Sequence, residues 1–489
     1  MALSVTDRTG LAQVLGALTA QASRLAAARG APVLVSHRER VPWVDPIDAF
    51  SWAAELADDR GLWLRPDEGM ALVSVDVAHA IEPDAPDRFA AAAAAWRDLL
   101  AGALLSGDGP GPALLGGFAF DPARPATPRW RGFPAARLVL PRLMLSLHGR
   151  DAWLTVNAVV GQDDDPAAAA RQMVETWRAF MAGCPAPPAP RSQPWERGNG
   201  TTTNRSPLPE LGAGPGVRAA PDWHAAVAAA AAAVRRGELE KVVLARALHV
   251  EEPAPFDLDA ALRRLRDAYP TCYVFAIARG ERVFLGATPE RLVRLDEQGV
   301  RVASLAGSIR RGATPAEDRA LGAALLASAK DRAEHAVVVR AILAALAEHC
   351  VDIQAPAEPT LLTVRNVHHL YTPVTARLRD GATLFDLVGR LHPTPAVGGM
   401  PRAAALRYIR EHEGLDRGWY AAPVGWVDAA GHGEFAVALR SALVAGAEAT
   451  LFAGCGIMGD SDPEREYAES AVKLRPMLAA LGIEEAGTA

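Results

Sequence analysis

Lys241-Val242-Val243-Leu244-Ala245-Arg246 is the stretch whose reading decides the fold. Four apolar residues in a row, β-branched at the start, follow the polar segment Arg235-Arg236-Gly237-Glu238-Leu239-Glu240, a pattern that predicts a buried strand. Further strand-like runs lie at 272–286, 290–295, 422–428, 434–444 and 449–457, mixed with helical patterns near 222–236, 316–349, 402–413 and 463–482. Upstream, 138–147 and 152–160 read as strands, and 9–29 and 88–105 as helices. The stretch 323–354 holds neither Gly nor Pro and is expected to be helical. Strands that cluster in groups, instead of alternating regularly with helices, point to an α+β fold with substantial antiparallel sheet.

The chain has 489 residues, half of them hydrophobic and 22% charged, enough to bury a large core. A net charge of -6 offers no global attraction to phosphate backbones, and no basic run is interleaved with aromatics, so nucleic acid is excluded as an expected partner. Cys184, Cys272, Cys350 and Cys455 lack the short spacings of a zinc site or a disulfide framework, which suits a reducing cytoplasm. The start lacks a basic segment followed by an apolar one, and the longest apolar run, Ala225 to Val234, is too short to span a bilayer; no membrane partner is expected. Between about Cys184 and Pro221 the chain is rich in Pro, Gly, Ser, Thr and Asn. That divides it into an N-terminal region (residues 1–184), a linker or loop (185–220) and a C-terminal region (221–485).

Lysine and arginine together number 51, yet lysine occurs only at 241, 330 and 473. Arginine keeps its proton at any accessible pH, whereas burial or neighbours can tune a lysine amine into a base, so each lysine is a lead. Lys241 stands at the mouth of the strand just quoted. Lys473 follows Glu466 and Glu469 on one face of a helix that carries Pro463 and acids in its first turn. Lys330 sits in a helical stretch where a surface charge suffices as its role. Glu290, Glu334, Glu466 and Glu469 stand in settings suited to chemistry, since hard divalent ions want carboxylate oxygens. The turn Ala453-Gly454-Cys455-Gly456 lets backbone N–H groups approach an anion. It is neither a dinucleotide fingerprint nor a Walker loop. Arg440 interrupts an otherwise apolar strand and must leave the sheet or meet an anion.

From about Trp223 to Leu481 these blocks resemble, in order, the chorismate-utilising enzymes, which include anthranilate synthase component I, salicylate synthase and isochorismate synthase. The matching blocks are 241–246, Phe284-Leu285-Gly286-Ala287-Thr288-Pro289-Glu290, Leu305-Ala306-Gly307-Ser308, Asp331-Arg332-Ala333-Glu334-His335, Asn366-Val367-His368-His369-Leu370, His392-Pro393-Thr394-Pro395, Leu439-Arg440-Ser441-Ala442, the glycine turn, and Glu466 through Lys473. The N-terminal region resembles the menaquinone-type members through Gly116-Gly117-Phe118-Ala119-Phe120-Asp121, Trp130 and Arg137-Leu138-Val139-Leu140-Pro141. The resemblance implies large, mainly antiparallel sheets flanked by helices.

It also implies that Glu334 and Glu469 bind magnesium, with Glu466 a neighbour of the metal, and that the metal holds the ring carboxylate of chorismate. Arg440 and Tyr420 would hold the enolpyruvyl carboxylate, backbone around Gly454 and Gly456 the anionic edge, and Lys473 a charge in the same site. Gly307, Ser308 and His369 complete the substrate-contacting set, and His335 is a neighbour of the metal site. Lys241 matches the base that activates water and Glu290 the acid that protonates the departing hydroxyl. The implied activity is a reversible chorismate to isochorismate isomerisation in menaquinone biosynthesis, without a glutamine amidotransferase subunit, in a cytoplasmic monomer or homodimer. Salicylate synthases share the Lys and Glu pair and go on to eliminate pyruvate, so they are the alternative, together with a siderophore-pathway isochorismate synthase. Tyr371 departs from the small residues of the family and Ser308 from its threonine.

Overall fold

The computed structural model describes residues 8–124, 127–183, 223–363 and 367–483. The expected linker at 185–220 and Asn366 lie outside the described residues. Among them, twenty strands join one hydrogen-bonded network with helices packed on it. Every pairing is antiparallel except Val33–Arg40 with Leu104–Ser106. This is the expected α+β architecture.

Strands from the two ends of the sequence are interleaved. Asp59–Arg65 pairs with Tyr273–Arg279, and Ala113–Phe118 pairs with Pro423–Asp428. Both hydrophobic cores are mixed in the same way: one gathers Phe118, Trp130, Trp419, Phe435 and Phe452, the other Leu15, Leu62, Leu285, Leu474 and Met477. Trp130 stacks on Phe452 with centroids 5.6 Å apart, Tyr420 stacks on Phe452 at 5.1 Å, and the Trp130 indole donates to Asp416 O at 3.2 Å. An aromatic column thus ties the N-terminal region to the loop that presents Tyr420.

The strand Lys241–Glu251 forms as its apolar run requires, and its register with Glu448–Ile457 sets Val243 opposite Gly456 and Ala245 opposite Gly454. The helix Pro463–Leu481 follows directly. Asp462 caps it by accepting from Arg465 N at 3.0 Å, Pro463 occupies its first turn, and Gly482 closes it with φ +75.

Four expectations are corrected. The helix expected over 323–354 is two helices, Pro315–Ala327 and Ala329–Ala347, followed by the strand Cys350–Gln354. Ser328 leaves helical geometry (ψ 109) and its hydroxyl accepts from Asp331 N at 3.2 Å, so a side chain replaces the backbone bond that would have continued the helix. The run 272–286 is a hairpin, Tyr273–Arg279 and Arg282–Thr288, turned at Gly280 with φ +59. The run 434–444 is broken into Gly433–Val437 and Ser441–Ala445, and Arg440 sits in the break with φ +49, so it has left the sheet. The helix expected over 88–105 ends at Leu100 and gives way to the strand Leu104–Ser106.

One edge of the Lys241 strand is held by side chains. Gly399–Met400 pairs with it only at Val242 and Lys241. Beyond that, Val243 N donates to Gly398 O at 3.0 Å, Arg417 Nη2 donates to Val243 O at 2.7 Å, and Ala245 N donates to Glu413 Oε2 at 2.8 Å. Arg417 also reaches Val397 O at 3.0 Å and grips Glu413 with two bonds, 2.8 and 2.5 Å; their side chains are 3% and 1% exposed. Arg417→Met would strand a buried carboxylate, so a loss of about 3–5 kcal/mol in unfolding free energy is expected from urea denaturation, with a matching fall in Tm.

Candidate active site

Lys241 projects from the start of its strand toward Gly456 of the neighbouring strand. A Cβ built at Gly456 would stand 2.6 Å from Lys241 Cε and 3.1 Å from Nζ, so no larger residue fits without moving the amine. Two residues earlier, a Cβ at Gly454 would stand 3.3 Å from the Tyr420 hydroxyl. Both glycines therefore form a side-chain-free floor between the base candidate and the buried tyrosine. Lys473 closes one side: its Nζ donates to Gly454 O at 2.9 Å and pairs with Glu469 Oε1 at 2.6 Å, one helical turn back.

Glu290 arrives from the opposite side. Thr288 Oγ1 donates to Val437 O at 2.6 Å and accepts from Glu290 N at 3.2 Å, while Val437 N donates to Glu290 O at 3.0 Å. Its backbone is thus pinned between two strands at the break that carries Arg440. A left-handed non-glycine residue costs on the order of 1 kcal/mol, and at Arg440 it turns the guanidinium out of the sheet toward the site.

Electrostatic coupling identifies the groups that share one space. Burial pulls the Lys241 amine below its ordinary value; Glu334, Glu469 and Glu290 oppose that shift and Lys473 adds to it. Burial pushes the Glu290 carboxyl up to about 7, against Arg440, Lys241 and Lys473. Burial, with Arg440 and Lys473 adding, pulls His369 down to about 4. Lys241, Glu290, Glu334, Glu469, Lys473, Arg440 and His369 are therefore within electrostatic reach of common neighbours. Burial pushes the Tyr420 phenol up, which keeps it a hydrogen-bond donor.

The remaining expected residues flank this group. Ser308 Oγ and His369 Nδ1 are 2.6 Å apart, and Gly307, with φ +82, turns beside Leu370 and Asp331. His335 is buried and braces Ala306 O at 3.0 Å and Thr372 Oγ1 at 2.7 Å, a structural post beside Glu334. Lys330 pairs with Asp460 at 3.0 Å on the surface, 64% exposed, and lies within electrostatic reach of Glu334.

Glu466 and Glu469 have carboxylate oxygens within 4.8 Å of each other and of Cys455 Sγ. Burial, and after it the neighbouring Glu469, push the Glu466 carboxyl up, against Ser461 and Lys473. Glu334 stands outside that close triplet. Cys455 was not anticipated as a member; its thiol donates to Glu466 O at 3.3 Å and burial pushes it up to about 12, so it is a neutral wall at ordinary pH. Its place between two glycines of the quoted turn was the available signal. Glu413 and Arg417 were also missed, although Arg417 stands three residues before Tyr420.

A family model described as chorismate binding enzyme matches residues 19–482. The chain belongs to the chorismate-binding enzyme family. It is 35% identical over 462 residues to isochorismate synthase MenF of Bacillus subtilis, covering 92% of this chain and 94% of that one. It is 39% identical over 459 residues to the salicylate biosynthesis isochorismate synthase of Pseudomonas aeruginosa, covering 92% and 90%. Among solved structures, MenF, the menaquinone-specific isochorismate synthase from Escherichia coli, superposes with a TM-score of 0.71 at 26% identity over 94% of this chain and 99% of its own. Among the described residues of this chorismate-binding enzyme, no helix is long and apolar enough to cross a membrane.

Because Glu290 has a folded-state value near 7, above its unfolded value of about 4.3, the stability it contributes is present at low pH and lost as pH rises through 7. Glu290→Gln removes that dependence. The stability difference should therefore move in the variant's favour by about 3 kcal/mol between pH 4 and pH 8, read by thermal melts; a pH-independent difference sinks this assignment.

Proposed function

We propose that this enzyme is an isochorismate synthase that isomerises chorismate reversibly to isochorismate, in the menaquinone branch suggested by its full-length likeness to the Bacillus subtilis and Escherichia coli MenF proteins. The observation that carries the reading is the opposed tuning of two groups in one site: an amine that burial pulls down and a carboxyl that burial pushes up to about 7. A general base and a general acid at one pH require that pairing.

In this reading Lys241 Nζ takes a proton from water as the water oxygen bonds to C2 of the ring. The ring double bonds shift, the C4–O bond breaks, and Glu290 gives its proton to the departing hydroxyl, so one water enters and one leaves. Arg440 and the Tyr420 hydroxyl hold the enolpyruvyl carboxylate, and the Gly454 and Gly456 backbone leaves room for the ring edge. Ser308 and His369 line the substrate, and Lys473 balances Glu469.

The acidic group fits a hard divalent cation: Glu466 and Glu469 bring two carboxylates close together, and Glu334 shares with Glu469 an electrostatic reach to Lys241. We propose magnesium held by Glu334 and Glu469 with Glu466 beside it; bound there, it supplies charge neutralisation for the ring carboxylate of the substrate. A cytoplasmic monomer or homodimer acting without a glutamine amidotransferase completes the proposal.

Purified protein with chorismate and magnesium, without ammonium, is expected to accumulate isochorismate to a plateau with no pyruvate. Salicylate with stoichiometric pyruvate would instead establish the salicylate synthase reading. The kcat/KM profile should be bell-shaped, because turnover needs the neutral Lys241 amine together with the protonated Glu290 carboxyl, and Lys241→Ala should abolish one limb of it. Lys241→Ala and Gly456→Ala should each lower kcat by roughly 10²-fold or more with little change in Tm, the second because its methyl displaces the amine.

A further inference from the structure

The outer edge of the Lys241 strand is unpaired beyond Val242 among the described residues. Val243 and Ala245 turn their N–H groups to that edge, and the two-residue alternation of the pleat sends Ala247 N–H there as well. A cavity of about 390 Å³ opens at this point, lined among others by Arg129, Trp223, Arg246, Ala247, His249 and Leu415. Its walls include none of Lys241, Glu290, Glu334, Glu469 or Lys473.

The cavity is rich in donors that lack acceptors. Arg129 Nη2 meets only the ring nitrogen Nε2 of His249, at 3.0 Å, and the other ring nitrogen of His249 is taken by Thr450 Oγ1 at 3.0 Å. Arg246 is 8% exposed; Nε donates to Ser470 Oγ at 2.6 Å, the guanidinium lies 4.4 Å over the Tyr467 ring, and Nη2 has no partner. Trp223 is 8% exposed and its indole N–H is also unpartnered. The two acids on the wall are already engaged. Glu413 is held by Arg417 and Ala245 N, and Asp416 accepts from Thr127 N at 2.8 Å and Gly418 N at 3.0 Å. Asp416 lies within electrostatic reach of Arg129, but neither guanidinium is hydrogen-bonded to a carboxylate among the described residues and Arg246 Nη2 is left without an acceptor, so the cavity suits an anion.

We infer that this cavity is a second ligand site, separate from the Lys241 site, for a small organic carboxylate with an apolar or aromatic body. The carboxylate meets Arg129, Arg246 and the Ala247 N–H of the strand edge, and the body lies against Trp223, Pro128 and Leu415. Arg246 links the cavity to Ser470, the residue next to Glu469 on its helix.

The test uses 4-fluorobenzoate as probe, followed by ¹⁹F NMR. Wild-type protein should bind it with a Kd of about 1 mM, the strength expected of so small a ligand. Arg129→Gln should weaken binding at least tenfold, whereas Gly456→Ala, which obstructs the Lys241 site, should leave it unchanged. The uncharged 4-fluorobenzamide should not bind wild-type protein, a comparison that needs no variant to fold. Loss of binding in Gly456→Ala with retention in Arg129→Gln would place the probe in the Lys241 site and overturn the inference. Absence of binding to wild-type protein, or equal binding of the amide, would overturn it too.

Discussion

Beyond Val242 the Lys241 strand has an edge that no strand covers among the described residues, inside a structure where unpaired backbone groups are costly, and the Glu413 and Arg417 side chains cover part of it instead. Their ion pair is nearly sealed from water, so each charge depends on the other and on the backbone groups it contacts. The same arginine fastens the Val397 loop and stacks at 4.2 Å over Phe120 of the N-terminal region. Strand, loop and N-terminal region are thereby held in one arrangement, and Lys241 and Tyr420 stand at its two ends.

From that arrangement the site's chemistry follows by a single physical effect. Low dielectric disfavours charge of either sign, so burial raises the Glu290 carboxyl and lowers the Lys241 amine together. The surrounding charges moderate both shifts, because Arg440 and Lys473 favour an ionised Glu290 while Glu334 and Glu469 favour a charged Lys241. The glycines at 454 and 456 matter through the side chains they lack: a methyl at either position would occupy the space of the Lys241 amine or crowd the Tyr420 hydroxyl.

Much of the fold was legible where chemistry is local. The buried strand at 241, the alternating runs at 138–147 and 152–160, and the capped helix after Asp462 formed as their residues specify. Readings failed where a side chain competed with the backbone or where a break depended on distant partners. Ser328 ended one helix and capped the next in a stretch free of Gly and Pro. Arg440 took a left-handed conformation in an apolar run because its carbonyl is held by Ala287 N at 3.1 Å, from a strand some 150 residues away in sequence.

The sequence by itself determined the α+β class and the family, since these rest on residue type, local periodicity and ordered motifs. Only the tertiary structure decided which carboxylates lie together, that Cys455 stands among them, and that Glu413 and Arg417 brace the base-bearing strand. It also decided that strands from opposite ends of the chain share one sheet. The reason is that desolvation and pairing depend on neighbours distant in sequence: a glutamate reads the same at 290, 413 and 466, and only its surroundings make it a protonated acid, a buried counter-ion or a member of a carboxylate pair.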